Sequence, residues 1–173
     1  VVGMAPVLSW DGTGKTLAFV VPMIERLLAR TGAQGIQAVV LSPTRELAIQ
    51  TSETFRIMAE GTGLRASVVV GGLSENPQLQ AIRRGAQVII ATPGRLCDFL
   101  DRKLVKLEGV KVLVLDEGDR MLDMGFQPDI ERIASSLPTE RQTMFFSATI
   151  EAEAARLISK YLREPERIEI GST

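Results

Sequence analysis

Short runs of apolar residues recur along this chain, and each is followed by a segment with the periodicity of a helix. The runs are rich in Val, Ile and Leu and occupy residues 38–42, 66–70, 88–91, 112–116 and 143–147. Strands that are apolar on both faces are typical of a parallel sheet with helices on both sides. The alternation therefore predicts an α/β doubly wound fold, in which helices flank both faces of a mostly parallel central sheet.

Helix start and stop signals support the same interpretation. Helical patterns at residues 16–30 and 46–60 end just before Gly32 and Gly61, and a third pattern at residues 151–162 ends before Pro165. Residues 167–170 form the last candidate strand. We find no internal repeat, low-complexity tract or linker, so residues 1–173 are predicted to form a single domain.

Polar segments follow the predicted strands, at the points where each strand ends. In parallel sheets these positions share one edge, and ligands bind there. The segments with polar residues, glycines or charges are residues 12–16, 43–47, 71–72, 92–95, 116–119 and 147–149. We therefore expect them to converge on one edge of the sheet.

Composition narrows the chemistry that this edge can perform. The chain has no histidine and one cysteine, Cys97, which excludes an intrachain disulfide, a zinc cluster, a Ser-His-Asp triad and a histidine proton shuttle. The 20 Lys and Arg residues nearly balance the 21 Asp and Glu residues, so any contact with nucleic acid must be local. No apolar run is long enough to cross a bilayer and no signal-like start is present, so a soluble, cytoplasmic setting is expected. Because the first residue is Val1, the chain is also expected to come from a longer protein.

A glycine-rich segment before the first helical pattern resembles a phosphate-binding loop. Glycines let backbone N–H groups approach an anion, and the helix N-terminus favours negative charge. Lysine would neutralise the β and γ phosphates, and threonine would offer its hydroxyl to Mg²⁺. The residues are Gly12, Thr13, Gly14, Lys15 and Thr16.

The same segment admits a simpler interpretation, a glycine-rich turn that caps an ordinary helix. The usual pattern requires glycine five residues before Gly14, where this chain has Ser9. Trp10 and Asp11 are unusual beside a polyphosphate, Asp11 because it adds negative charge. The loop, or residues 1–10 as a whole, is therefore predicted to be altered.

An acidic motif follows the apolar run at residues 112–115. Asp116 can hold Mg²⁺, and Glu117 can orient or deprotonate an attacking water. Gly118 and Asp119 complete the motif. The alternative is an exposed acidic turn, which is common in soluble proteins.

With these two segments placed, the chain resembles the DEAD-box RNA helicases through an ordered set of motifs. Residues 43–47 resemble motif Ia, residues 71–72 the glycine doublet, residues 92–95 motif Ib, residues 116–119 motif II and residues 147–149 motif III. The set covers nearly the whole chain, from Gly12 to Ile170. The resemblance implies a RecA-like P-loop fold, the first of the two motor domains of an ATP-dependent RNA helicase, without the second.

The resemblance also implies roles for individual residues. Lys15, Asp116 and Glu117 would be catalytic, with ATP and Mg²⁺ as cofactors. Single-stranded or duplex RNA would be bound through its sugar-phosphate backbone by Pro43, Thr44, Arg45, Gly71, Gly72, Thr92, Pro93, Gly94 and Arg95. Coupling between nucleotide and RNA would involve Asp119, Ser147, Ala148 and Thr149, with Asp119 hydrogen-bonded to Ser147 or Thr149. A monomer is expected, which needs a second motor domain to complete its sites.

Three features depart from the family pattern. Gly118 replaces an alanine, which is expected to loosen the backbone there. Residues 6–11 add length before Gly12, and the upstream segment with an adenine-reading glutamine is missing. Two functions therefore remain open: one half of an RNA helicase, or a nucleotide-deficient module that binds RNA or a protein. The sequences of motifs Ia and Ib resemble those of the RNA helicases more than those of a related motor that acts on DNA.

Overall fold

The structure, a computed structural model, describes residues 6–8 and 13–167. The strands of this part form one sheet in the spatial order β3-β4-β2-β5-β6-β1-β7, and every pairing in it is parallel. Their bounds are β1 Pro6–Leu8, β2 Ala38–Leu41, β3 Ala66–Val69, β4 Val88–Ala91, β5 Val112–Leu115, β6 Gln142–Phe146 and β7 Glu166–Arg167. The predicted parallel α/β sheet is confirmed.

Helices follow the strands in regular alternation. They are α1 Thr13–Leu28, α2 Arg45–Met58, α3 Glu75–Arg83, α4 Pro93–Asp101, α5 Gly118–Asp123, α6 Gln127–Ser135 and α7 Ala152–Tyr161. The three predicted helices correspond to α1, α2 and α7, with ends shifted by up to three residues. Within the described residues, no helix combines the length and the apolar character needed to cross a membrane.

The strands are buried on both faces because their side chains alternate between two apolar cores. Val39 and Leu41 of β2 belong to a core that includes residues of α4, α6 and α7. Ala38 and Val40 of the same strand belong to the second core, which includes residues of α1 and α2. A strand covered on both sides must be apolar at every position, and this explains the continuous runs in the sequence.

The strand ends lie in register along one edge of the sheet. Leu41, the last residue of β2, is paired with Ala91 of β4 and with Leu115 of β5. Leu115 is in turn paired with Phe145 of β6. Since all pairings are parallel, the segments after these strands leave the sheet at the same edge, as predicted.

This edge is divided into two halves by the strand order. The segments predicted to bind RNA follow β3, β4 and β2, which are neighbours on one half. The acidic motif and motif III follow β5 and β6 on the other half, and α1 with Lys15 comes after β1 on that side. The topology therefore separates the candidate nucleotide residues from the candidate RNA residues.

Candidate nucleotide and RNA site

The lysine of the predicted phosphate loop lies against the acidic motif. Lys15 is in the first turn of α1, and its Nζ is 2.9 Å from Oδ1 of Asp116 and 3.5 Å from Oε1 of Glu117. Asp116 is the residue after β5, at the edge where that strand leaves the core. The predicted juxtaposition of Lys15 and Asp116 is confirmed, although the two residues are 101 positions apart in the sequence.

Asp116 carries a carboxylate in an unfavourable environment. The residue is fully buried, its Oδ1 is paired with Nζ of Lys15 at 2.9 Å, and its Oδ2 has no geometric hydrogen-bond partner among the described residues. Burial raises the pKa of Asp116, and the opposing attraction of Lys15 does not cancel this shift. Such a group is stabilised further by a cation placed at Oδ2, the oxygen that Lys15 does not contact.

These residues fit a magnesium ion that is bound together with a nucleotide. Asp116 supplies an oxygen ligand without a partner, and Thr16 lies next to Lys15 in the same turn of α1. Among the described residues, no group of three or more acidic, cysteine or histidine side chains is placed so that it could hold a metal ion by itself. Mg²⁺ prefers this arrangement, because it keeps several waters and binds phosphate oxygens beside one or two protein ligands.

Glu117 is held in a conformation that few non-glycine residues adopt. Its backbone is left-handed, with φ 50° and ψ 52°, and it precedes the first residue of α5. Its carboxylate is shared between Lys15 and Arg120, whose Nη1 lies 3.4 Å from Oε2. A left-handed residue persists only when its surroundings impose it, so the turn between β5 and α5 determines where Glu117 points.

Asp119 is hydrogen-bonded to motif III. The backbone N–H and the side-chain hydroxyl of Thr149 both donate to Oδ2 of Asp119, at 3.3 and 3.2 Å. Ser147 donates instead to the carbonyl of Thr149, and Ala148 is exposed between them. The predicted hydrogen bond is therefore made by Thr149, whereas the coupling role of these residues stays a prediction.

Two of the RNA candidates are in close contact on the other half of the edge. Gly72 has φ +77°, and a Cβ built on it would lie 2.7 Å from Nη1 of Arg45. Arg45 opens α2 and is ion-paired with Glu46 at 3.4 Å, with almost half of its side chain exposed. Glycine is needed here both for the left-handed backbone and for the approach of the guanidinium.

Arg95 is anchored to the glycine doublet through its neighbours. Its Nη1 donates to the carbonyl of Leu73 at 3.3 Å and to Oε1 of Gln78 at 3.4 Å. Gln78 is buried, and its Nε2 donates to the carbonyl of Val70 at 3.0 Å. Sequence reasoning missed Gln78, because its burial and its contacts with Val70 and Arg95 depend on packing that no sequence pattern reports.

The remaining RNA candidates divide by exposure. Gly71 and Gly94 are exposed, whereas Pro43 and Pro93 are buried at helix starts. Thr44 caps α2, because its Oγ1 accepts from the N–H of Leu47 at 3.2 Å. Thr92 occupies the corresponding position before α4 but makes no such hydrogen bond.

Part of the predicted phosphate loop lies outside the described residues. Gly12 falls there, as do Ser9, Trp10 and Asp11. Thr13 is described only as the first residue of α1, and Gly14 is half-buried in the same turn. The prediction that this loop is altered therefore stays a prediction.

Comparison with known proteins shows which proteins this chain is similar to. The chain is 43% identical over 161 residues to the DEAD-box ATP-dependent RNA helicase CshA of Streptococcus pneumoniae, which covers 93% of this chain and 30% of the relative. It is 44% identical over 165 residues to DEAD-box ATP-dependent RNA helicase 30 of Arabidopsis thaliana, which covers 94% of this chain and 28% of the relative. The chain therefore spans about 30% of the length of these relatives.

A solved structure and a family model extend the comparison to the fold and the motifs. The crystal structure of a DEAD box protein from the hyperthermophile Methanococcus jannaschii matches with a TM-score of 0.88 at 34% identity, over 96% of this chain and 45% of that one. This match confirms the predicted RecA-like fold. The model of DEAD/DEAH box helicases matches residues 4–157. The match covers most of the sequence, and the chain belongs to the DEAD/DEAH box helicase family.

Proposed function

We propose that this chain is the part of an ATP-dependent RNA helicase that binds ATP with Mg²⁺ and holds the RNA backbone. The observation that carries the proposal is the placement of Lys15 within 2.9 Å of the fully buried Asp116, at the edge where the sheet would receive a ligand. The relatives are ATP-dependent RNA helicases by name, which supports the same class of reaction.

The nucleotide half of the edge supplies the groups that phosphoryl transfer needs. Lys15 and the N–H groups at the start of α1 bind the phosphates, and Asp116 and Thr16 hold the metal. When bound, Mg²⁺ neutralises the charge that develops on the phosphate oxygens. Glu117 orients a water so that its oxygen attacks the γ-phosphorus while the bond to the β-phosphate oxygen breaks, and it accepts the proton of that water.

The other half of the edge binds RNA without reading its bases. Arg45, Gly72 and Thr92 present a guanidinium, a glycine backbone and a hydroxyl, and such groups contact phosphates and sugars of any sequence. Arg95 and Gln78 contribute by anchoring the loop at residues 71–73. Binding of single-stranded RNA, or of one strand of a duplex, follows from this chemistry.

Unwinding requires more than this chain. In the described residues, the basic side chains ion-paired with Asp116 and Glu117 are Lys15 and Arg120. An additional arginine at the transferred phosphoryl group changes rates by about 10³–10⁵ in motors of this kind. We propose that a second motor domain supplies it and completes the RNA groove, so that the chain alone hydrolyses ATP slowly.

Nucleotide titration of the isolated chain tests the proposal. We expect saturable binding of ATP or ADP in the presence of Mg²⁺, and its loss in the Lys15→Ala variant. Lys106→Ala serves as the matched control, because Lys106 is exposed and lies outside the site. If the unaltered chain shows no binding of ATP or ADP up to millimolar concentration, the proposal is overturned.

That negative outcome would favour the alternative, a nucleotide-deficient module that binds RNA or a protein. The observation behind the alternative is the irregular loop, in which Ser9 replaces glycine and Asp11 adds negative charge. RNA affinity that is unchanged in Lys15→Ala, together with absent nucleotide binding, would establish this second function.

A further inference from the structure

The third position of motif II has no room for a side chain. Gly118 is buried at the start of α5, and its φ is not left-handed, so its backbone alone does not demand glycine. A Cβ built on Gly118 would lie 2.3 Å from Cε2 and Cζ of Phe145 and 3.1 Å from Cδ2. Carbon atoms in favourable contact are about 3.5–4.0 Å apart. Glycine is therefore required here by Phe145.

The ring of Phe145 has little freedom to move aside. Phe145 is fully buried in β6 and belongs to the same core as Leu115, Met121 and Leu122. Its backbone is paired with Leu115, the residue that precedes Asp116. A close-packed ring in a central strand can yield only if its neighbours shift as well.

Phe145 is also placed between the two motifs on the nucleotide half. It lies two residues before Ser147 of motif III, and it contacts the motif II turn at Gly118. On either side of Gly118 are Glu117, in its left-handed conformation, and Asp119, which accepts two hydrogen bonds from Thr149. A displacement of Gly118 must therefore move both carboxylates.

We propose that Phe145 is a positioning residue for motif II, and that Gly118 is its obligatory complement. The ring occupies the space of the alanine methyl that the family pattern has at this position, and it supports the turn that presents Glu117 and Asp119. From sequence alone, Gly118 predicts a looser turn. In the structure the ring of Phe145 fills the volume that the absent methyl leaves, and the ring therefore supports the turn. This inference rests on the proposed function, since it concerns the nucleotide site.

The test is a double-mutant cycle on the full chain. The variants are Gly118→Ala, Phe145→Leu and the two combined. We expect Gly118→Ala to lower the melting temperature and to reduce the Mg²⁺-dependent gain in ADP affinity by about tenfold or more. Phe145→Leu alone removes the support of the ring, and we expect it to lower the melting temperature and the Mg²⁺-dependent gain by less than Gly118→Ala does. The double variant should regain both the melting temperature and the gain, because the smaller leucine side chain leaves room for the alanine methyl.

Phe146→Leu is the matched control for the loss of an aromatic ring. Phe146 is equally buried in the same strand but faces the opposite core, where it packs on Phe19 with 5.2 Å between ring centroids. We expect it to lower the melting temperature without changing the Mg²⁺-dependent gain, and without rescuing Gly118→Ala. An unchanged gain in Gly118→Ala, or no recovery in the double variant, would overturn the proposal.

A second measurement separates this inference from the proposed function. The backbone amide of Thr149 donates to Asp119, so its NMR chemical shift reports the position of motif II without nucleotide. We expect this shift to move in Gly118→Ala and Phe145→Leu, to return in the double variant, and to stay unchanged in Phe146→Leu. If the unaltered chain binds no nucleotide, the proposed function fails, while these shifts still decide whether Phe145 positions the turn.

Discussion

At the scale of single residues, the candidate site contains states that cost stability. Asp116 is a buried carboxylate with a raised pKa, and Glu117 is a non-glycine residue in the left-handed region. The charge of Lys15 stabilises the buried carboxylate of Asp116, and the turn before α5 imposes the left-handed conformation of Glu117. Unfavourable states of this kind concentrate at functional sites, where the surrounding fold maintains them.

Because Lys15 and Asp116 form an ion pair, we expect the stability of the Lys15→Ala variant to differ from that of a double variant in which Asp116 is also replaced. Lys15→Ala leaves a buried charge without its partner, and we expect it to lower the free energy of unfolding by about 3 kcal/mol. Adding Asp116→Asn removes that charge and should return most of the loss, although nucleotide binding stays absent. Urea denaturation at neutral pH without nucleotide or Mg²⁺ measures both values. Equal stabilities of the single and double variants would contradict the prediction.

The glycine doublet offers a matched pair of substitutions. Gly72→Ala forces a Cβ into the left-handed region and against Arg45, so we expect a loss of about 1–2 kcal/mol in stability and weaker binding of single-stranded RNA. Gly71→Ala should be nearly neutral for stability, because φ there is not left-handed and nothing lies within 4 Å of the added Cβ. Thermal unfolding and RNA titration distinguish them, and similar effects of both substitutions would refute the role given to Gly72.

At the scale of elements, the sequence predicts what is determined locally. β2, β3 and β5 end within one residue of the predicted ends, because a strand buried on both faces must be a continuous apolar run. Helices α1 and α2 were recognisable because glycines follow them. β1 was missed, since three residues within an irregular segment carry no pattern. The last strand was predicted at residues 167–170, and the observed β7 is Glu166–Arg167, so Arg167 is common to both and residues 168–170 lie outside the described part.

Contacts within the candidate site were less predictable than the motifs themselves. The motifs place Lys15 and Asp116 on one edge, so their proximity followed from the parallel sheet. The anchoring of Arg95 by Gln78 and the contact of Phe145 with Gly118 depend on side-chain packing between distant segments. No spacing rule in a single sequence reports such packing, because the partners lie in different elements.

Thr44 and Thr92 both precede a helix, but we expect the first to stabilise its helix and the second to bind RNA. Thr44 caps α2, so we expect Thr44→Ala to cost about 1 kcal/mol of stability, and Thr44→Ser to retain most of it. Thr92 makes no capping bond before α4, so Thr92→Ala should leave stability within about 0.5 kcal/mol while weakening RNA binding. Denaturation and RNA titration of the three variants provide the measurement. A stability loss in Thr92→Ala as large as that in Thr44→Ala would contradict this distinction.

At the scale of the whole molecule, one edge of the sheet carries both sets of candidates. The nucleotide half and the RNA half meet between β5 and β2, which are paired in register along all four residues of each strand and are fully buried. Energetic coupling between two sites requires an element with two arrangements that both ligands bias. The hydrogen bonds of Asp119 with Thr149 belong to the nucleotide half alone. Among the described residues, the side-chain hydrogen bonds from Thr149 to Asp119 thus do not reach the RNA half.

This arrangement predicts that the isolated chain binds its two ligands independently. Saturation with ATP and Mg²⁺ should change the affinity for a fluorescent single-stranded RNA by less than about twofold, measured at one salt concentration. Lys15→Ala provides the reference in which nucleotide cannot contribute. A change of fivefold or more corresponds to about 1 kcal/mol of coupling. Coupling of that size would mean that this single domain already switches, and that a second motor domain is needed for fast hydrolysis but not for communication between the two ligands.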